Sequence, residues 1–255
     1  MNKLTILDLF SGIGGFSLGL EKTGNFKTIA FCEIDKHACE ILNKHWPNVP
    51  ILGCVSSINK ENFNESINVI TGGFPCQDLS VAGRKGGLSA PRSGLWAEMF
   101  RIIGEYRPKI AVIENVSNLL IGEDGQWFTK LLYDLASIGY DAQWHVIPAS
   151  AIGAGHHRKR VWIIAYPTQK RRALPEKIYN KIALEISHRR TPRSVISLLA
   201  NVKQIQLRTC DYDHRKLDGI SKAVDSFERL GNTIQPQIAE IIGMAIYEAL
   251  NETKP

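Results

Sequence analysis

Short apolar runs alternate with amphipathic stretches through the first two-thirds of the chain, a pattern that indicates an α/β fold with a mostly parallel sheet. The apolar runs predict strands over residues 4–9, 28–32, 69–72, 110–114, 140–146 and 161–166. Apolar spacings of three and four predict helices over residues 15–22, 36–44, 94–106 and 127–138. The alternation of predicted strands and helices ends after Pro167, and a last amphipathic helix over residues 236–250 is expected to pack back onto the sheet.

The composition of the 255 residues, 44% hydrophobic and 22% charged, is typical of a soluble globular protein. No apolar stretch reaches the roughly 18–20 residues that cross a bilayer, and Asp8 comes too early for a signal peptide. The five cysteines are odd in number and lack CxxC spacing, which argues against a disulfide framework and a structural zinc site. We therefore expect a cytoplasmic monomer that holds no metal and contacts no membrane.

The net charge of +6 is concentrated in one block. Residues 168–225 contain 13 Lys and Arg against 6 Asp and Glu, whereas the rest of the chain contains 18 against 19. Such a block is typical of proteins that bind polyanions, above all nucleic acid, although a solvated basic face is the alternative. The block also divides the chain into a first domain over 1–167, a small basic region over 168–225 and a C-terminal segment over 226–255.

A cysteine follows the third predicted strand on a turn of glycine and proline, Gly72-Gly73-Phe74-Pro75-Cys76-Gln77. These residues end the strand and present the thiol at its carboxyl end, where side chains of an open α/β sheet meet ligands. A nucleophilic role for Cys76 is therefore favoured over a packing role.

A glycine-rich turn, Asp8-Leu9-Phe10-Ser11-Gly12-Ile13-Gly14-Gly15, joins the first strand to the first helix, and Glu33 ends the second strand. Glycines there let a ligand approach the backbone closely, and an acidic side chain at that place commonly binds the hydroxyls of an adenosine ribose. The spacing is not GxGxxG, which disfavours a dinucleotide. Together these features favour an adenosine-containing cofactor such as S-adenosylmethionine.

Seven segments in this order resemble the DNA (cytosine-5) methyltransferase family, in its compact bacterial and phage form. They are residues 8–15 (DLFSGIGG), 33–35 (EID), 73–77 (GFPCQ), 92–96 (RSGLW), 114–116 (ENV), 158–160 (RKR) and 231–234 (GNTI). The resemblance implies a Rossmann-like S-adenosylmethionine-dependent methyltransferase fold. It also makes 1–167 the catalytic domain and 168–225 a small target-recognition region.

The resemblance further assigns three catalytic residues. Cys76 would add to carbon 6 of a cytosine flipped out of double-stranded DNA, which makes carbon 5 nucleophilic towards the methyl donor. Glu114 would protonate or hydrogen-bond ring nitrogen 3, and Arg158 would hold the cytosine oxygen O2. The products would be 5-methylcytosine and S-adenosylhomocysteine.

Two larger sets of binding residues follow from the same resemblance. Those expected to bind the cofactor are Asp8, Phe10, Gly12, Gly14, Glu33, Ile34, Pro75, Leu95, Asn232 and Ile234. Those expected to contact DNA, either from the loop over residues 80–93 or from basic positions further along, are Ser80, Arg84, Lys85, Arg92, Arg160, Arg171, Arg172, Arg189, Arg190, Arg193 and Arg208.

Three departures from the family pattern affect these expectations. Cys54 stands where the family commonly has an aspartate for the adenine amino group, so weaker cofactor binding than with aspartate is expected. His156 replaces the usual glutamine, and activity should survive because both arginines remain. The short basic region predicts a short or degenerate DNA target.

The open alternatives are a tRNA cytosine-5 methyltransferase and a DNA-binding homologue with impaired catalysis. A metal site or Cys–His hydrolase built on His156 and His157 is disfavoured, because no third ligand is suitably spaced. A role in restriction–modification and a role as an orphan or phage enzyme both fit the leading interpretation.

Overall fold

The fold is described from a computed structural model for residues 2–63, 65–74, 94–154, 157–170, 174–189 and 234–251. The strands within these ranges are β1 (Leu4–Leu9), β2 (Phe26–Cys32), β3 (Ile51–Leu52), β4 (Val69–Gly72), β5 (Ile110–Val116), β6 (Tyr140–Pro148) and β7 (Lys159–Pro167). The helices are α1 (Gly15–Lys22), α2 (Lys36–His45), α3 (Gly94–Tyr106), α4 (Gln126–Ser137), α5 (Leu174–Arg189) and α6 (Pro236–Asn251).

The strands form one sheet in the order β3-β2-β1-β4-β5-β7-β6. The first five strands in this order, from β3 to β5, pair with one another in parallel, and β7 runs antiparallel to both β5 and β6. The predicted α/β architecture with a mostly parallel sheet is confirmed. The strand order reverses between β1 and β4, and such a switch point opens a crevice at the carboxyl ends of the strands.

A hydrophobic core covers each face of the sheet. In β5, Ala111 and Ile113 face the core that α3 and α4 cover, whereas Ile110 and Val112 face the core that α1, α5 and α6 cover. This two-residue alternation is the reason that a buried central strand reads as a continuous apolar run.

The final helix packs against α1, as its apolar spacing predicted. Two glycines of α1 make this close approach possible. A Cβ atom on Gly15 would lie 2.6 Å from the carbonyl oxygen of Ile234, and one on Gly19 would overlap the carbonyl oxygen of Pro236. The division of the chain into three regions at residues 167 and 225 stays a prediction.

Two elements were absent from the sequence prediction. Strand β3 has only two residues, which is too short to show alternation. Helix α5 lies in the basic block, where no helix was expected, and buries Leu174, Ile178 and Ile182 at four-residue spacing. Among the described helices, none combines the length and the apolar character that a membrane span requires.

Candidate active site

A cavity of about 530 Å³ opens at the carboxyl ends of β1, β2, β4 and β5. Its volume lies within the range of small-molecule sites, roughly 300–1,000 Å³. Many of the residues predicted from the sequence come together in its wall. These are Phe10, Gly12, Glu33, Ile34, Leu95, Glu114, Arg158 and Arg160.

Glu33 at the end of β2 is held by three backbone amides. Its Oε2 accepts a hydrogen bond from Gly12 at 2.7 Å, and its Oε1 accepts from Ile34 and Asp35 at 2.8 Å each. Gly12 has a φ of +54°, which glycine adopts at little cost. The glycine turn and the acidic residue are thus one unit, and Oε2, which accepts a single hydrogen bond, keeps capacity for a ligand hydroxyl group.

Ile34 lies at the rim of the cavity with 77% of its surface exposed. An exposed apolar side chain beside a fixed carboxylate suits a ligand with a flat ring next to hydroxyl groups. This arrangement matches the roles that the sequence predicted for Glu33 and Ile34, and both roles stay predictions.

Asp8 does not line the cavity, contrary to expectation. It is fully buried, and its carboxylate accepts hydrogen bonds from Ser17 at 2.8 Å and Thr71 at 2.6 Å. Burial raises the pKa of Asp8 to about 6, although both hydroxyl groups act in the opposite direction. Asp8 therefore ties β1 to α1 and β4, and its predicted contact with a cofactor stays a prediction.

Gly14 and Ile234 also lie outside the cavity wall. A Cβ atom on Gly14 would contact Trp46 and Leu42, so this glycine backs onto α2 and the turn after it. Ile234 is buried, and its Cδ1 atom lies 3.3 Å from the Cβ position of Gly73. It packs behind Gly73 in the cavity wall, and its predicted contact with the cofactor stays a prediction.

Glu114 is a buried carboxyl group near the end of β5. Its Oε1 lies 3.0 Å from Nε of Arg160 and 4.0 Å from Nη2 of Arg158. Burial raises the pKa of Glu114 to about 7, and the two arginines oppose that rise. Near neutral pH this group can therefore both donate and accept a proton.

Arg160 was predicted as a DNA contact, yet it lies nearer to Glu114 than Arg158 does. Both guanidinium groups line the cavity and are largely buried. Burial lowers the pKa of Arg158, and the neighbouring Arg160 adds to this effect. The two arginines supply concentrated positive charge beside one carboxyl group.

Asn115 belongs to the ENV motif at residues 114–116, but no catalytic or binding role was predicted for it from the sequence. Its side-chain amide donates to the carbonyl oxygen of Phe74 at 3.2 Å, and its Oδ1 accepts from the amide of Val116 at 2.9 Å. The ends of β4 and β5 are thereby linked, and Phe74 and Asn115 both line the cavity. Its place directly after Glu114 was the signal available in the sequence.

Cysteines contribute to the wall beside Glu33. Cys32 is buried, donates to the carbonyl oxygen of Gly53 at 3.2 Å, and has a pKa raised to about 12 by burial. Cys54 is exposed, and the Ser56 hydroxyl 3.0 Å away lowers its pKa. Among the described residues, no cluster of three or more His, Cys, Asp or Glu side chains is arranged to hold a metal ion.

The predicted nucleophile, two predicted cofactor-binding residues and most predicted DNA contacts lie outside the described residues. They are Pro75, Cys76, Ser80, Arg84, Lys85, Arg92, Arg171, Arg172, Arg190, Arg193, Arg208 and Asn232. Arg189 is the last residue of α5. The described chain stops at Phe74 and resumes at Gly94, and both Phe74 and Leu95 line the cavity.

These features define a class of protein, an α/β domain with a cavity at the carboxyl ends of its parallel strands that contains a buried acid and two arginines. The chain belongs to the C-5 cytosine-specific DNA methylase family, whose model matches residues 4–248. The family resemblance predicted from the motifs is confirmed.

Relatives in bacteria and a virus share about a third of the matched residues. The type II methyltransferase M.Eco47II of Escherichia coli is 36% identical over 166 residues, which are 64% of this chain and 40% of that protein. M.CviJI of Paramecium bursaria Chlorella virus IL3A is 37% identical over 159 residues, 62% of this chain and 42% of that protein. The chain thus spans less than half the length of these curated relatives.

Solved structures share the fold. A DNA modification methyltransferase encoded within an E. coli prophage superposes with a TM-score of 0.67 at 20% identity, over 98% of this chain and 100% of that one. The Dnmt2 methyltransferase of S. pombe gives a TM-score of 0.53 at 20% identity, over 66% of this chain and 50% of that one.

Proposed function

We propose that this protein is an S-adenosylmethionine-dependent DNA (cytosine-5) methyltransferase that acts on a cytosine flipped out of double-stranded DNA. The observation that carries the proposal is the buried Glu114, paired with Arg160 in the same cavity as the amide-bound Glu33. The kinship with type II methyltransferases favours a role in restriction–modification or as an orphan or phage enzyme.

The residues at the Glu33 end of the cavity fit S-adenosylmethionine. Glu33 would bind the ribose hydroxyl groups, Ile34 would cover one face of the adenine, and Phe10, Gly12 and Leu95 would line the remainder. When bound, the cofactor supplies an electrophilic methyl group. The cavity volume of about 530 Å³ accommodates a nucleoside-sized ligand together with a base.

The other end of the cavity would act on the pyrimidine ring. Glu114 would donate a proton or hydrogen bond to nitrogen 3 while the Cys76 thiolate adds to carbon 6. Arg158 and Arg160 would stabilise negative charge on the ring oxygen and keep Glu114 in place. Loss of the proton from carbon 5 would then release the Cys76 thiolate. The other basic positions named from the sequence would contact the DNA phosphates.

The test is methyl transfer from tritiated S-adenosylmethionine to duplex DNA and, separately, to tRNA. We expect label in DNA alone, at cytosines that bisulfite sequencing maps to a short or degenerate site. Cys76→Ser should abolish transfer. A covalent complex with duplex DNA that contains 5-fluorocytosine should form in the unaltered protein and not in this variant. Label in tRNA alone, or DNA binding without transfer, would refute the proposal.

A further inference from the structure

Helix α3 contacts the wall of the cavity through the side chain of Arg101. The guanidinium donates from Nη1 to the carbonyl oxygen of Ile58 at 2.9 Å, and from Nη2 to that of Val55 at 3.3 Å. These two carbonyls belong to the turn that follows β3. Leu95, six residues earlier on the same helix, lines the cavity directly.

Two carboxylates hold the guanidinium in this position. Glu98 accepts from Nε at 2.9 Å and from Nη2 at 2.7 Å, and Glu105 accepts from Nη1 at 2.9 Å. They lie three residues before and four residues after Arg101 on α3, so all three side chains share one face of the helix. A planar guanidinium fixed by two acids presents its remaining donors in one direction.

The turn that receives these donors forms part of the cavity. Gly53, Cys54 and Val55 line it beside Glu33. Strand β3 before the turn has only two residues, and a short 3₁₀ segment, Val55–Ser57, follows. With so little regular structure around it, the turn depends on side-chain contacts for its position.

We propose that Arg101 is a positioning residue for the cofactor, because it fixes the turn at residues 53–58 as one wall of the binding cavity. The identity of the ligand rests on the proposed function above. Arg101 itself does not line the cavity and is not a catalytic residue.

The variants Arg101→Met and Arg101→Lys test this role. S-adenosylhomocysteine binding is measured by calorimetry, and KM and kcat are measured with the full chain and duplex DNA. For Arg101→Met we expect the Kd of S-adenosylhomocysteine and the KM of S-adenosylmethionine to rise about tenfold, because the variant loses the charged hydrogen bonds to two carbonyl oxygens. The kcat at saturating cofactor and the KM for DNA should change less than about twofold, because Glu114 is untouched. Lysine should restore part of the affinity, since one ammonium cannot span both carbonyls.

Lys181→Met is the matched control. Lys181 of α5 also bridges two carboxylates, Glu185 at 3.1 Å and Glu248 at 2.8 Å, but its helix covers the opposite core and Lys181 does not line the cavity. We expect this variant to lose thermal stability with no change in the Kd of S-adenosylhomocysteine.

Hydrogen exchange gives a readout that needs no ligand. The amides of Ser57 and Ile58 bond to the carbonyl oxygens of Cys54 and Val55 in the unaltered protein. They should exchange faster in Arg101→Met and at the unaltered rate in Lys181→Met.

An Arg101→Met protein that binds S-adenosylhomocysteine as tightly as the unaltered chain would overturn the inference and leave the proposed function standing. Equal losses of affinity in Arg101→Met and Lys181→Met would also overturn it, because they would report global stability. If the unaltered chain does not bind S-adenosylhomocysteine, the proposed function and the inference fail together.

Discussion

Replacing Glu114 with glutamine keeps the shape of the side chain but removes its ability to ionise. In the folded protein the pKa of Glu114 is raised to about 7 from an ordinary value of 4.5, chiefly by burial. This shift corresponds to about 3 kcal/mol against the carboxylate form. At pH 7.5 about a quarter of the molecules would hold the proton, compared with about one in a thousand at the ordinary pKa.

The raised pKa has a direct kinetic consequence if Glu114 protonates nitrogen 3. The protonated form is lost as pH rises through 7, so the rate should fall on the alkaline side about tenfold per pH unit. Ionisation of Cys76 gives the opposite limb, which makes the profile of the unaltered protein bell-shaped. Glu114→Gln should be slower by about 10²–10⁴-fold and should keep only the acid limb.

Single-turnover methyl transfer between pH 6 and 9, at saturating S-adenosylmethionine and duplex DNA, measures both effects. The control is Glu40→Gln, because Glu40 is an exposed residue of α2 that does not line the cavity. It should reproduce the unaltered profile. A Glu114→Gln rate within about tenfold of the unaltered rate, or a Glu114→Gln profile that keeps the same alkaline limb as the unaltered protein, would refute the reasoning.

Three further predictions follow from the described contacts. Glu33→Ala removes the acceptor of three backbone amides, so calorimetry should show S-adenosylhomocysteine binding weakened at least about tenfold, and unchanged affinity would contradict this. The pKa of Asp8 is raised from 3.8 to about 6, so its contribution to stability is fully present below pH 4 and is lost as pH rises through 6. Between pH 4 and pH 7.5, urea unfolding should therefore show the unaltered protein losing about 2 kcal/mol more free energy of unfolding than Asp8→Asn loses, and equal losses would argue against the buried carboxylate. Gly19→Ala should lower the melting temperature strongly, because the added methyl group would overlap the carbonyl oxygen of Pro236. Gly104→Ala on α3, where the nearest atom lies 3.8 Å from the new methyl group, should raise the free energy of unfolding by about 1 kcal/mol. A Gly19→Ala protein more stable than Gly104→Ala would contradict the packing.

Local patterns were sufficient for most of the fold. The bounds of β1, β4, α1 and α3 agree with the predicted ranges, and for β4 the apolar run lies between the polar Asn68 and the glycines Gly72 and Gly73. The helix α5 was missed although Leu174, Ile178 and Ile182 are spaced four apart. The basic composition of the block obscured that spacing.

The part of the site that neighbouring strand ends form could be predicted from the sequence. Glu33 and the Gly12 turn belong to adjacent strand ends, so their meeting follows from a parallel pairing of β1 and β2. Asp8 lies away from the cavity wall because side chains alternate along a strand. Ile6 of β1 faces the core that α1 covers, and Asp8 shares that face two residues later, which directs it towards Ser17.

The pairing of Glu114 with Arg160 could not be read from the sequence, because it depends on the register and direction of β7. In a fully parallel sheet, the strand beside β5 would bring its carboxyl end to the cavity and would place its first residues at the opposite edge. Strand β7 is antiparallel to β5, with Val116 opposite Arg160 and Glu114 opposite Trp162. Its amino-terminal residues therefore start at the carboxyl end of β5, and Arg158 and Arg160 arrive at the cavity. The antiparallel strand is thus the feature of the fold that places two arginines beside a buried acid.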